Sequence, residues 1–458
     1  MEKGDTKRKI IIFGMGVQGK KALEELMGTY EVICFVDNNS ELDGTMYKGI
    51  PIIRADKLLQ YYAEDVIVII ATIYHAEVAK QLESMGITAY KIMLDGHMYN
   101  SNSHKFQRCS RCVMSNESDK YICFDDKGIC NYCTTAFNNI GKIYYLGEEG
   151  NKKLERLLMK VKEENRENMY DCIMGISGGL DSSYLAYLGY KWGLRVLAVH
   201  VDDGYDTEIS KANIKRLISA TGFDYEVITL DKDQFNDLTV AYMKAGVPNI
   251  AIPQDNVLFA FLYKKMREYG IKYFFSGGNF ALECILQRGN TYSAWDVDNI
   301  LNIHKRFGTK AIDKLEFISR EQMKIDEKKL QIQSPRPLDY IEYNRERAFE
   351  ELKEFCGFEY YGSKHLENTL TAFIQLYWFP KKFGVDKRSS HLSSMIVSGQ
   401  ISRETAIRKL SEPICDDKTI NRIIKQMMTQ LQLSEEVLNE LVEAPKHQHE
   451  EYNRELNG

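Results

Sequence analysis

Residues 177–183 read SGGLDSS, between the strand-like run DCIMGIS and the helical run SSYLAYLGYKWG. Gly178 and Gly179 let a backbone approach an anion with no Cβ in the way. Ser177, Ser182 and Ser183 add hydroxyl donors. A helix starting near Asp181 would aim its free N–H groups at the same point. No lysine lies in the stretch, and the phosphate loop G-x-x-x-x-G-K-S/T is absent from the chain. A nest of backbone donors holds an anion without a lysine. This one suits keeping pyrophosphate as a leaving group, with the chemistry at the α-phosphate of ATP. A plain helix N-cap turn is the alternative, and the agreement of strand, loop and helix speaks against it.

Two C-x-x-C pairs form a second constellation. Cys109 and Cys112 precede Cys130 and Cys133, with 17 residues between the pairs. Each pair makes a tight turn, and four thiolates close a tetrahedral structural zinc site. Gly128 suits the second turn, and Cys123 stands between the pairs without a ligand's spacing. An iron–sulfur cluster and a redox role are the alternatives.

The third signal is GMGVQG, which carries Gly14, Gly16 and Gly19 directly after a β-branched run. Asp37 ends the next strand-like run, 18 residues after Gly19, near the place of a ribose-binding acid. The fingerprint points to a nucleotide-containing ligand; close packing of the glycines is the other reading.

The elements that must position these residues follow from periodicity. Residues 1–100 alternate strand and helix, as in a small doubly wound α/β domain. Residues 101–140 hold the four-cysteine module, and 141–340 alternate again, which implies a parallel sheet with right-handed crossovers. Three polar strand ends, SGGLDSS, HVDDGYDTE and SGGNFALE, would share the carboxyl edge where ligands bind. Residues 341–445 have helical spacing, and 446–458 read as a polar tail. The net charge of −5 argues against a large nucleic-acid face. No apolar run approaches the roughly 18 residues of a membrane span. The N-terminus runs straight into a strand, which argues against a signal peptide. The expected setting is cytoplasmic.

SGGLDSS resembles the SGGxDS signature of the PP-loop, or N-type, ATP pyrophosphatases, which include NAD synthetase, GMP synthetase and the tRNA thiolation enzymes. The resemblance implies that ATP adenylates a carbonyl oxygen, pyrophosphate departs and a nucleophile displaces AMP. It implies ATP and Mg²⁺ binding through Ser177, Gly178, Gly179, Asp181, Ser182 and Ser183. His200, Asp202 and Asp203 in HVDDG match the nucleoside end, and Gly277 in SGGNFALE matches the segment that closes the site.

From about 105 to 415 the chain resembles the N-acetyl sugar amidotransferases of surface-glycan and flagellin-sugar pathways. CSRCVM, VPNIAIPQDNVLFAFLY, SGGNFALECIL, YGSKHLENTLTAFIQLYWFPKKFGVDKR and HLSSMIVSGQISRETAIRKL carry that likeness. It implies ATP-dependent conversion of an acetamido group to an acetamidino group on an N-acetylated, acidic (nonulosonic or uronic) sugar, free or nucleotide-linked. Asp181, Glu283 and Asp255 are the candidate catalytic residues; Asn279, Lys364, His365, Arg388 and His391 are candidates for substrate binding. Lys381, Lys382 and Lys387 complete a basic set, with a solvated helix face as the plain reading of the first two. Residues 1–100 resemble the nucleotide-sugar-binding half of sugar acetyltransferases. Position 2 is Glu2, where a terminal cysteine nucleophile would stand, and no G-x-C-x-G elbow is present. Ammonia would then come from solution or from a partner like the glutaminase/cyclase pair of histidine biosynthesis. One rival is a tRNA thiolation enzyme, for which Cys284 would be the sulfur-carrying candidate; another is a non-catalytic ATP-binding regulator.

Overall fold

The computed structural model describes residues 7–101, 105–362 and 366–453. The chain divides into two compact units, Met1–Asn138 and Asn139–Gly458.

The first unit is built on a seven-stranded sheet. In chain order it runs β1 (Arg8–Phe13), α1 (Val17–Leu26), β2 (Tyr30–Asp37), β3 (Met46–Tyr47), β4 (Ile50–Arg54), β5 (Ile67–Ile70), α2 (His75–Ser84), β6 (Tyr90–Leu94), β7 (His97–Asn100) and α3 (Asn131–Asn139). The spatial order is β3-β4-β2-β1-β5-β6-β7, parallel in the middle with an antiparallel strand at each edge. Strand β1 shows why the run RKIIIF forms a central strand. Side chains alternate faces with period 2, so Ile10 and Ile12 enter one core while Ile11 and Phe13 enter the other. The four-cysteine segment packs into this same unit. Cys123 joins the core beside Tyr99, and the backbone N–H of Asn100 donates to Phe124 O at 2.9 Å. His75 Nε2 donates to Tyr121 O at 3.1 Å, and Tyr121 Oη donates to Glu77 at 2.7 Å.

The second unit holds a four-stranded parallel sheet in the order β10-β9-β8-β11. Its chain runs α4 (Gly147–Glu164), β8 (Cys172–Gly175), α5 (Leu180–Lys191), β9 (Val196–Asp202), α6 (Glu208–Thr221), β10 (Asp224–Thr229), α7 (Lys232–Ala245), α8 (Ile252–Tyr269) and β11 (Phe274–Phe275). Mainly helical chain follows: α9 (Phe280–Glu283), α10 (Val297–Phe307), α11 (Arg320–Lys329), α12 (Arg345–Cys356), α13 (Thr369–Phe373), α14 (Arg388–Val397), α15 (Arg403–Ser411), α16 (Asp417–Leu431) and α17 (Glu435–Glu443). Helix α13 continues into a π-helical stretch, Ile374–Phe383, which contains Pro380. Proline has no N–H to give to a ladder, and a wider turn is one way a helix accommodates it. Trp378, Phe373 and Leu370 bury this region against Phe235, Leu238 and Tyr242 of α7. The α/β class, the two sheets and the helical C-terminal region are those expected from periodicity. Among the described residues, no helix is long and apolar enough to cross a membrane.

Candidate functional site

Strand β8 lies inside the second sheet, with β9 and β10 on one side and β11 on the other. The chain runs from β8 outward through β9 to β10 and then crosses back to β11 on the other side of β8, and open parallel sheets bind ligands at such a switch point. The loop after β8 and the loop after β11 meet there. A Cβ on Gly277 would lie 3.2 Å from Ser182 N and Cα, so the two loops are in close contact. A cavity of about 320 Å³ opens at this edge.

The loop's two glycines are buried, and its backbone donors are held by its own hydroxyls and by a neighbouring tyrosine. Gly178 has φ +73°, and a Cβ there would stand 2.5 Å from Ser210 O. Gly179 N–H donates to Ser177 Oγ at 3.2 Å, Ser177 N–H donates to Ser182 Oγ at 3.3 Å, and the two hydroxyls are 3.1 Å apart. Two tyrosines from the following helical region brace it. Tyr361 Oη accepts from Leu180 N at 2.8 Å, and Tyr343 Oη donates to Asp181.

His200 ties the end of β9 to the loop's root. Its Nδ1 donates to Ile176 O at 2.8 Å, and its Nε2 lies 2.8 Å from Asp206 Oδ2. Burial disfavours the imidazolium, but the Asp206 hydrogen bond and charge outweigh it, and the pKa is raised. Asp203 is buried beside it. Burial and then the Asp206 charge lift its carboxyl to about 6, against hydrogen bonds from Gln254, Tyr205 N and Asn368. Carboxylate oxygens of Asp202, Asp203 and Asp206 lie within 4.8 Å of one another.

Six carboxylates line the cavity: Asp181, Asp203, Asp206, Asp255, Glu283 and Glu367. Against them, His200 and Arg345 are the basic lining residues among those described. Leu258, Phe259, Leu262 and Phe274 add an apolar wall suited to a base. A polyanion entering so acidic a space requires divalent cations to offset the repulsion.

Other expected residues have different surroundings. Ser183 is fully buried in α5, and Asn279 is fully buried as the N-cap of α9, accepting from Leu282 N at 2.9 Å. Arg388, expected at the substrate, is engaged by Asp386 and by the carbonyls of Lys409, Glu412 and Pro413, where it closes the end of α15. Lys382, read as part of the basic set or of a solvated helix face, is instead buried and donates to the carbonyls of Leu441, Val442 and Ala444 at the end of α17. His391 lies on α14, which packs against α9. Cys284 donates its thiol to Ser394 O at 3.9 Å and is not part of the cavity wall. Lys364 and His365 lie outside the described residues. Glu367, Asp206, Arg345, Tyr343 and Tyr361 were missed. Only the family-like stretch around HLENT carried any signal for Glu367.

In the first unit, a Cβ on Gly19 would stand 1.8 Å from Gly14 O, and one on Gly14 would stand 2.7 Å from Ala71 O. Asp37 spends both oxygens on backbone, accepting from Met15 N at 2.7 Å and Asn39 N at 2.8 Å. Gly16 precedes α1 as its N-cap and faces open space. The four cysteines Cys109, Cys112, Cys130 and Cys133 are all buried. Cys109 Sγ is 3.9 Å from Cys133 Sγ, and Cys112 Sγ is 3.8 Å from Cys130 Sγ. Four thiolates 2.3 Å from one ion have edges of about 3.8 Å. Thiolates around a four-iron cluster stand much farther apart. Backbone N–H groups of Arg111, Cys112 and Cys130 point at Cys109 Sγ, which favours a thiolate.

Residues 367–457 match the family described as LPS biosynthesis protein WbpG-like, C-terminal domain, and residues 6–93 match the C2185-like N-terminal family. Comparison with curated proteins finds no match. Among solved structures, UDP-D-quinovosamine 4-dehydrogenase from Vibrio fischeri is similar at 20% identity over 21% of this chain and 95% of that one, with a TM-score of 0.18. NMN synthetase from Francisella tularensis is similar at 14% identity over 48% of this chain and 100% of that one, with a TM-score of 0.25. The U34-tRNA thiolase NcsA from Methanococcus maripaludis, with its 4Fe-4S cluster, is similar at 15% identity over 67% of this chain and 89% of that one, with a TM-score of 0.27.

Proposed function

We propose that the chain is an ATP-dependent amidotransferase acting on the acetamido group of an acidic N-acetylated sugar. The observation that carries the proposal is the lysine-free loop at the switch point of a parallel sheet, opening on a cavity lined by carboxylates. The match of residues 367–457 to a family described by LPS biosynthesis supports a sugar as the acceptor.

The acetamido oxygen attacks the α-phosphorus of ATP, the α–β bridge breaks, and pyrophosphate leaves. Ammonia then adds to the imidate carbon and gives up a proton; the C–O bond breaks, and AMP departs with the former acetamido oxygen. The loop is assigned to hold the pyrophosphate, with Ser177, Gly179 and Ser182 exchanging the hydrogen bonds they make to one another for phosphate oxygens. Arg345 is the cation that the loop lacks. It stands two residues after Tyr343 and rests on Tyr360, 4.9 Å from the ring centre, next to Tyr361; Tyr343 and Tyr361 each touch the loop. Asp181, Glu367 and Asp203 are the carboxylates assigned to Mg²⁺, which offsets phosphate charge when bound. Glu283 and Asp255 are assigned to polar work at the acetamido group, such as taking the proton from ammonia. The four cysteines are assigned to structural zinc, on their 3.8–3.9 Å sulfur separations. Ammonia is proposed to come from a separate glutaminase-type subunit.

The test incubates the protein with ATP, Mg²⁺, ammonium and N-acetyl sugars carrying oxygen-18 in the acetamido group. Labelled AMP and an amidine product are expected. Sugar-independent ATP breakdown, or label retained in the sugar product, would rule the reaction out. Pyrophosphate release that depends on tRNA and not on sugar would instead favour thiolation.

A further inference from the structure

A second cavity of about 490 Å³ lies in the same unit, behind the loop that follows β11. Lys142, Lys153, Arg156 and Arg336 line it, with Tyr145 and Tyr340 as aromatic walls. The rings of Tyr145 and Tyr340 are 6.1 Å apart, and Lys153 Nζ lies 4.1 Å from the centre of Tyr145. Asp339 is the one carboxylate in the lining, and it is already committed. Its Oδ2 lies 3.0 Å from Arg336 Nε, and its Oδ1 accepts from Phe280 N at 2.6 Å. Lys153 has only a 3.8 Å contact with the exposed Glu149. Among the described residues, Lys142 Nζ and the Arg156 guanidinium have no hydrogen-bond or ion-pair partner. The cavity is therefore a net positive site in which Asp339 offsets Arg336 and the other three cations have no such partner in the lining.

The walls are held in place by the fold. At Gly150, in the first turn of α4, a Cβ would stand 2.4 Å from both Tyr145 O and Tyr340 O, so that turn is pressed against both tyrosine segments. Residues 333–335 run along β11, with Phe274 N donating to Gln333 O at 2.9 Å and Ser276 N to Pro335 O at 3.0 Å. Arg336 comes next, and its Nε donates to Gly278 O at 3.1 Å. Tyr144 stacks on Phe280, with ring centres 4.6 Å apart. The residues that frame this cavity are thus the ones that hold the 276–283 loop of the first cavity.

We propose that this second cavity binds a diphosphate anion and that its occupancy acts on the 276–283 loop through Arg336. Four cations, less the one that Asp339 offsets, match a group carrying about three negative charges, and guanidinium pairs bidentately with phosphate oxygens. Two sources share this chemistry: free inorganic pyrophosphate, and the diphosphate of a nucleotide or nucleotide-linked sugar. The site does not depend on the reaction proposed above, because binding is read without turnover.

The experiment titrates the full chain with pyrophosphate, UDP and inorganic phosphate by calorimetry. Wild type is expected to bind pyrophosphate in two events. Ser182→Ala keeps the second-cavity event, and Lys142→Ala/Arg156→Ala loses it by about ten-fold or more in affinity. A double variant with unchanged binding of both diphosphates would overturn the site. Phosphate binding as tight as the diphosphates would overturn the assigned ligand class. UDP tighter than pyrophosphate identifies the nucleotide-linked source, and the reverse identifies free pyrophosphate. For the coupling, hydrogen exchange of the 276–283 amides is followed in Ser182→Ala as pyrophosphate is added. Their protection is expected to change, and to stop changing when Arg336→Gln is added. An equal response with Arg336→Gln would refute the coupling.

Discussion

The chain contains two glycine-rich turns that look alike on paper. GMGVQG follows β1 and starts α1; SGGLDSS follows β8 and starts α5. Both follow interior parallel strands. In the first, Gly14 and Gly19 face neighbouring backbone, and the Asp37 carboxylate is taken by two N–H groups. In the second, Gly179 faces a carboxylate side chain, Glu367, and the loop opens on a cavity. Backbone packing requires glycine at Gly14 and Gly19 and again at Gly178, where Ser210 O stands opposite; the access side of the comparison is Gly179. What stands opposite the missing Cβ separates the two.

The largest expected effect tests the access side. Asp181→Asn or Ser182→Ala should lower sugar-dependent AMP formation roughly 10²- to 10³-fold, as for loss of one charge-stabilising group. Circular dichroism and the melting temperature should stay near wild type. Normal rates in either variant would remove the loop from the chemistry.

Stripping the metal should act on the other unit. A strong zinc chelator with reductant is expected to expose the 105–139 segment to protease, because buried thiolates lose the ion that holds them together. Elemental analysis should find about one zinc per chain before treatment. Iron in place of zinc would show that the sulfur separations had been misread.

The paired glycine substitutions sharpen the contrast directly. Gly19→Ala puts a methyl against backbone and should cost about 1–3 kcal/mol or more in unfolding experiments, with little change in the KM for ATP. Gly179→Ala meets the end of a flexible side chain. It should cost less than about 1 kcal/mol of stability yet raise that KM about ten-fold. The reverse pattern would break the comparison.

Asp37→Ala is expected to have the smallest effect on turnover and to act on stability alone. It orphans two backbone donors and should cost about 1–2 kcal/mol. Loss of affinity for a nucleotide sugar at unchanged stability would restore a ligand role to this acid.

The alternation of strands and helices was readable because parallel strands buried on both faces appear as short runs that are largely apolar. RKIIIF and DCIMGIS are such runs, and each ends at its glycines. The cysteine pairs were readable because chelation imposes a local spacing. The engagements of Lys382 and Arg388 were not. Arg388 and Lys382 stand in stretches that resemble substrate-binding segments, yet each closes a helix end, since a long cationic side chain satisfies carbonyls as well as it binds an anion. Composition does not distinguish the two uses.

Sequence alone determined what is local in this protein: the lysine-free glycine loop, the four-cysteine spacing and the order of strands and helices. Their physical causes, backbone freedom at glycine, ligand bite and side-chain period, act over a few residues. Only the tertiary structure decided what faces the loop. Glu367, Arg345, Tyr343 and Tyr361 are distant in sequence from Ser177–Ser183 and reach it only because chain beyond the sheet folds back over the carboxyl edge. The same return brings Arg336 and Asp339 behind the 276–283 loop, next to Lys142 and Arg156 from the other side of the sheet sequence. Such meetings depend on which surfaces bury together, and no short window of residues encodes that.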